Sequence, residues 1–294
     1  MYSKPAAPVS IGKVLDGAFS LWWPSLKLTW PLVLIPKVAA VILMYFQIGA
    51  TIPAQALQIY IQSPLISVLQ VLISLGALGL YCAAFLRVDE FAHGRELALG
   101  ASISRGFGLW GKAFGLVLIG ILVAIPIMVP ALMVGSVTTP GQLGSGLALF
   151  AVFAFFYGIF FLVIFGRLFL AFPILVVEKK SAVSSIKASW YLTRGYWWRC
   201  AAILTILAIV AYAVAFIFGL VVGVMGVRDA LHNANVYGLS RSIFLSSMLI
   251  GVVSSLVFTP LFYGGLLSIY YDLKMRKEGG DLAGRVEALS PGRA

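Results

Sequence analysis

The sequence predicts an all-α protein, a polytopic membrane helical bundle of about six transmembrane helices. Three observations predict it: six long apolar stretches, basic residues concentrated in alternate connections, and a short segment that recurs ahead of each apolar pair. Composition agrees. Of 294 residues, 61% are hydrophobic and 11% charged, where a soluble domain is about half apolar and about a quarter charged. Lipid, rather than water, is the solvent that suits so much apolar surface.

The apolar stretches run over 28–49, 65–87, 113–136, 144–177, 200–225 and 243–271. Each supplies the roughly 20 helical residues needed to cross a hydrocarbon core of about 30 Å. The runs are continuous rather than alternating, which favours helices over strands. The fourth stretch is longer than a span needs, so it should tilt, kink at Pro173 or emerge from the membrane. Pro31 and Pro36, Pro126 and Pro130, and Pro260 should kink the first, third and sixth spans. The chain reads as a single integral membrane domain over 1–294, with a polar tail over 276–294. Its start reads as lacking a cleavable signal, because Lys13 and Asp16 interrupt the first apolar stretch.

The connections differ in charge. Residues 50–64 and 137–143 carry none, and 226–242 holds only Arg228, Asp229, His232 and Arg241. The other set is basic: Lys4, Lys13 and Lys27; Arg87, Arg95, Arg105 and Lys112; Lys179, Lys180, Lys187, Arg194 and Arg199; then Lys274, Arg276, Lys277, Arg285 and Arg293. By the positive-inside rule both termini are cytoplasmic, and the membrane expected is the bacterial inner membrane. The net charge of +11 then reflects this bias and attraction to anionic headgroups. No recognition motif accompanies the charge, so nucleic acid is not an expected partner. Cys82 and Cys200 fall near cytoplasmic span ends and read as small packing residues.

The basic segments resemble one another. IGKVLDGAFSLWWPSL (11–26) aligns with LGASISRGFGLWGKAF (99–114), pairing Gly12 with Gly100, Phe19 with Phe107, Leu21 with Leu109 and Trp22 with Trp110. A third copy from 182, AVSSIKASWYLTRGYWW, places Ile186, Trp190 and Leu192 at the positions of Leu15, Phe19 and Leu21. Each copy reads as a short amphipathic helix in the headgroup plane, followed by a transmembrane hairpin. The repeats cover about 9–88, 97–178 and 181–275. Phe19, Trp22, Trp23, Phe107, Trp110, Trp190, Trp197 and Trp198 are the expected interfacial anchors, since indole favours that boundary. GLVVG (219–223) is a small-residue pattern expected to pack helices within the bundle.

The opening VSIGKVLDGAFSLWW (9–23) resembles the start of the bacterial membrane domain found fused to glycerophosphoryl diester phosphodiesterases, and also found alone. RLFLAFPILVVE (167–178), SAVSSIKASWYLTRGYWWR (181–199) and YYDLKMRKEGGDL (270–282) are similar to it too. The resemblance implies a multi-helical domain associated in some relatives with glycerophospholipid breakdown. It does not imply phosphodiesterase activity, because the catalytic barrel of fused relatives is absent from these 294 residues.

Two cations fall inside apolar stretches. Lys37 and Arg167 each lie about ten residues from a span end, near mid-depth at about 1.5 Å per residue. Such placement costs about 2.5–3.5 kcal/mol. Two readings stay open. Together they bind an anion such as a lipid phosphate, for which the arginine fork is suited; or Arg167 snorkels and Lys37 bonds carbonyls freed by Pro36. DEFAHGRE (89–96) places Glu90 and His93 at a metal-ligand spacing, but a second such pair is missing, so a solvated face is the reading. No metal or cofactor is expected, and no nucleophile motif or phosphate loop is present.

Three functions follow. The first is a non-enzymatic, lipid-associated scaffold or accessory protein, in contact with anionic membrane lipids and with a cytoplasmic protein partner. The second is a translocator of an anionic lipid or lipid-derived phosphate using Lys37 and Arg167. The third, an enzyme on a lipid headgroup, has the least support.

Overall fold

A computed structural model describes residues 8–49, 64–136, 164, 166–233 and 236–289. These form α1 (Ile11–Gly49), α2 (Pro64–Ala92), α3 (Leu99–Gly108), α4 (Trp110–Ser136), α5 (Ala171–Val177), α6 (Ala182–Thr193), α7 (Trp197–Asn233) and α8 (Val236–Leu289), with no strand among the described residues. Four helices are long and apolar enough to cross a membrane: Ile11–Tyr45, Pro64–Ala92, Trp197–Val221 and Met248–Gly279. The pair Leu99–Gly108 and Trp110–Ile125, bent by 54°, makes a fifth when taken as one span. Most of the predicted fourth span, 144–163, lies outside the described residues; its end forms the apolar helix Gly166–Val177.

The prolines act differently from one another. α1 runs through Pro24, Pro31 and Pro36, and α8 through Pro260, without a break. Ahead of Pro173, residues 169–170 form a turn within Gly166–Val177, and the proline falls in the first turn of α5. A proline removes the N–H that would bond residue i−4, here Phe169, and its ring crowds that carbonyl, so a first-turn position suits it. Ser181 caps α6 by accepting from the Ser184 N–H at 3.4 Å. Gly195, at φ 88°, supplies the left-handed residue of the turn into α7.

The predicted short helices share one buried register. Val14, Ser102 and Ser185 are buried; so are Ala18, Gly106 and Ser189, and Leu21, Leu109 and Leu192. The middle position makes a close approach each time. The Ala18 carbonyl lies against Gly264 of α8, and Gly106 against Gly79 and Ala83 of α2. Ser189 donates its hydroxyl to the Arg167 carbonyl at 2.5 Å. Small residues allow these approaches where lipid offers helices no hydrophobic drive to associate.

One expectation changes. The first copy is no separate headgroup-plane helix, because 11–26 continues unbroken into α1. Its face is occupied by α8 and α2 for much of its length, so packing rather than the interface sets its direction. At GLVVG, among the described residues, nothing lies within 4 Å of a side chain built at Gly219 or Gly223. The buried core gathers at one end instead, in 14–33 of α1, 77–92 of α2, 200–207 of α7 and 260–273 of α8. Beyond it the helices present apolar residues outward, such as Val71, Ile121, Ile209 and Phe216.

Candidate functional site

Three consecutive residues in the second half of α8 reach three different parts of the chain. Successive helical positions point about 100° apart, so Tyr270, Tyr271 and Asp272 leave the helix in separate directions. Each meets a charged group that directly follows an apolar stretch or opens a helix.

Asp272, only 1% exposed, is the most buried carboxylate of the set. Its Oδ2 accepts from Nε of Arg199 and Nε of Arg276, both at 3.0 Å. Its Oδ1 accepts from the Val9 N–H at 3.1 Å. The two arginines complete the ring by donating Nη2 to the Val9 carbonyl, at 2.5 and 2.6 Å. A buried carboxylate with two guanidinium partners and a backbone donor has its lone pairs used, which is the condition for burying charge without a large desolvation loss.

Tyr270 donates to Oε1 of Glu178 at 2.6 Å, and Lys274 Nζ reaches the same oxygen at 2.7 Å. Lys180 pairs with Oε2 at 2.5 Å. Burial pushes the Glu178 carboxyl up, but the hydrogen bonds from Lys180, Lys274 and Tyr270 outweigh it and hold the group at about 2. Tyr271 donates to Oδ1 of Asp89. The His93 ring stands edge-on to Tyr271, with centroids 5.7 Å apart, and its Nδ1 lies 2.8 Å from the Asp89 carbonyl.

Cation–π contacts close the same end. Lys277 lies 5.3 Å from the Tyr191 ring and Arg276 5.6 Å from Tyr196. Arg87 joins α2 to α1 through the Leu28 carbonyl at 2.5 Å, and to the loop before α3 through the Leu97 carbonyl at 3.2 Å.

DEFAHGRE is therefore more than a solvated face. Asp89 is buried, because Tyr271 and His93 cover it. Glu90 takes Arg95 at 2.6 Å and Arg105 at 3.6 Å. Among the described residues no group of three or more His, Cys, Asp or Glu gathers to hold a metal. Cys82 and Cys200 are free and buried.

The two intramembrane cations lie on different elements, Lys37 on α1 and Arg167 just ahead of α5. Lys37 is half-buried on α1, which packs on α2 and α8. Arg167 lies beside α6, its guanidinium 4.6 Å from the centre of the Trp190 ring. Among the described residues neither forms an ion pair.

The predicted anchors divide into two kinds. Trp22 and Trp110 are half-buried and donate their indole N–H inside the protein, to the Val257 carbonyl at 2.9 Å and the Leu75 carbonyl at 2.7 Å. Trp197 lies against Gly166, and Phe19 sits edge-on to Trp22. Trp23, Trp198, Trp190 and Phe107 are exposed, at 62%, 78%, 45% and 46%.

Residues 143–282 match the membrane domain of glycerophosphoryl diester phosphodiesterase. The match takes in 167–178, 181–199 and 270–282, where the sequence resembles that domain, and leaves out 9–23. What is matched is the membrane domain, without the catalytic domain. No curated protein and no solved structure matches the chain. Together with the apolar helices, the match makes this a multi-pass membrane protein.

The hub escaped sequence reasoning, yet it left a signal. Asp89, Glu178 and Asp272 each end an apolar run. The four segments that resemble the membrane domain also converge there: one begins at Val9, two end at Glu178 and Arg199, and the last opens with Tyr270, Tyr271 and Asp272.

Proposed function

We propose that this protein is a non-enzymatic, lipid-associated membrane scaffold built as three repeats over 9–88, 97–178 and 181–275, with six spans and both termini cytoplasmic. The observation that carries the reading is the hub. Asp89, Glu178 and Asp272 are spent on holding helix ends together, through Tyr271, through Tyr270 with Lys274, and through Arg199 with Arg276. Acidic groups committed to such bonds suit a fixed platform rather than proton or sodium coupling. The shared buried register of 14–21, 102–109 and 185–192 supports the threefold unit. Exposed Trp23, Trp190 and Trp198 support contact with the lipid boundary on the basic side.

Arg167 favours the second reading, a translocator of anionic lipid, because it sits in an apolar stretch over Trp190. A fluorescent-lipid flux assay in proteoliposomes separates the two. The scaffold expects dithionite-accessible phosphatidylglycerol to match protein-free vesicles. Acceleration by the parent that Arg167→Gln or Lys37→Leu abolishes makes the translocator reading the correct one.

A further inference from the structure

Leu168, the residue after Arg167, lines a cavity of about 300 Å³. α4 contributes Leu116 and Gly120, the helix ending at Val177 contributes Leu168 and Phe172, α6 contributes Ile186, and α8 contributes Phe262. Among the described residues, every one that lines it is apolar. Ligand pockets span about 300–1,000 Å³, so this one holds part of a chain-like apolar molecule rather than a whole lipid. An apolar cavity of this kind has no polar groups with which to fix water.

Charge stands at its edge. Arg167 directly precedes the lining residue Leu168. Trp190, over which its guanidinium stacks, is one helical turn beyond the lining residue Ile186. The stacked face leaves the planar N–H edge for a ligand, and that edge matches phosphate oxygens two at a time. Lys187, exposed on the same helix, adds positive charge nearby. The neighbouring face of α4 presents Leu118, Ile121 and Leu122 outward, as a lipid-facing helix does.

We infer that this cavity is a binding site for one anionic glycerophospholipid, with an acyl chain among Gly120, Phe172 and Phe262 and the headgroup phosphate on Arg167. The inference rests on the reading of the chain as lipid-associated, and holds for a scaffold or a translocator alike.

The test is photolabelling of the full chain in phosphatidylcholine nanodiscs, with phosphatidylglycerol carrying a diazirine on its acyl chain. Adducts are expected on the peptides containing 116–124 and 262–266. Unlabelled phosphatidylglycerol should compete about tenfold better than phosphatidylcholine. Gly120→Leu fills the cavity, and a side chain begun there meets nothing within 4 Å, so it should abolish those adducts in a folded protein. Arg167→Gln should remove the preference for the anionic lipid, and Lys13→Gln, exposed on α1, should keep it. Adducts spread over Val71, Ile209 and Phe216 in proportion to exposure overturn the inference. So does equal competition by the two lipids in the parent protein, a result that needs no variant to fold. The flux assay reads translocation and this one reads occupancy, so either idea can fail alone.

Discussion

Nε of Arg199 donates to Oδ2 of Asp272 at 3.0 Å across 73 positions of sequence. Arg276 takes the same oxygen from within α8, and both arginines continue to the Val9 carbonyl. One buried carboxylate thus joins the start of the chain, the start of α7 and the second half of α8.

Removing that charge leaves two guanidinium groups facing a neutral partner. Asp272→Asn should cost about 3–5 kcal/mol, the range for breaking a buried ion pair from one side. Thermal unfolding in detergent micelles reads it as a lowered Tm. Asp16→Asn, exposed on α1, is the control and should leave Tm in place. Equal melting of the two variants would show that the clamp contributes nothing.

Glu178 makes stability depend on pH in acid. Its carboxyl falls from 4.5 to about 2 in the folded protein. A depressed carboxylate stabilises fully above the unfolded value and loses that contribution as pH falls through the folded one. Glu178→Gln should be less stable than the parent at neutral pH, and the gap should narrow as pH falls from about 4.5 toward 2. Unfolding midpoints measured along that range check it; a gap that stays constant refutes the role given to the carboxylate.

Gly106 tests the close approach of α3 to α2. A Cβ there would meet the Gly79 carbonyl and Ala83, which are backbone or near-backbone atoms with little room to move. Gly106→Ala should destabilise by about 1–3 kcal/mol through overpacking. Gly111→Ala, where nothing lies within 4 Å, should be neutral or gain about 0.5–1 kcal/mol of helix stability. Circular dichroism melts of both variants would show whether their order is reversed.

The two adjacent tryptophans of α1 should behave oppositely. Trp22→Phe removes the donor to the Val257 carbonyl, in the turn that precedes Pro260, and should cost about 1–3 kcal/mol. Trp23→Phe, on the exposed side, should stay within about 0.5 kcal/mol of the parent. Vesicle binding of a peptide would not distinguish the residues; the melting temperatures of the intact variants do.

Much of the fold was legible because lipid imposes it residue by residue. An apolar run of about 20 must be helical to satisfy its own backbone. That holds wherever the run packs, so 28–49, 65–87, 113–136, 200–225 and 243–271 all fall within observed helices. The recurring pattern around Phe19, Phe107 and Trp190 was readable for a similar reason, since the register of small and large residues is local. Whether 11–26 bends away from its span was not readable, because the choice depends on whether α8 is there to receive Ala18 and Trp22.

The sequence by itself determined that the chain is helical, apolar and multi-pass. The tertiary structure decided what the charges do. Asp89, Glu178 and Asp272 look alike in sequence, each closing an apolar run. Their partners come from elsewhere in the chain, Tyr271 at 182 positions, Tyr270 at 92 and Val9 at 263. Hydrophobic transfer is a property of each segment and can be summed along the chain. A hydrogen-bonded ion pair is a property of two groups within about 3 Å, and only the fold sets that distance.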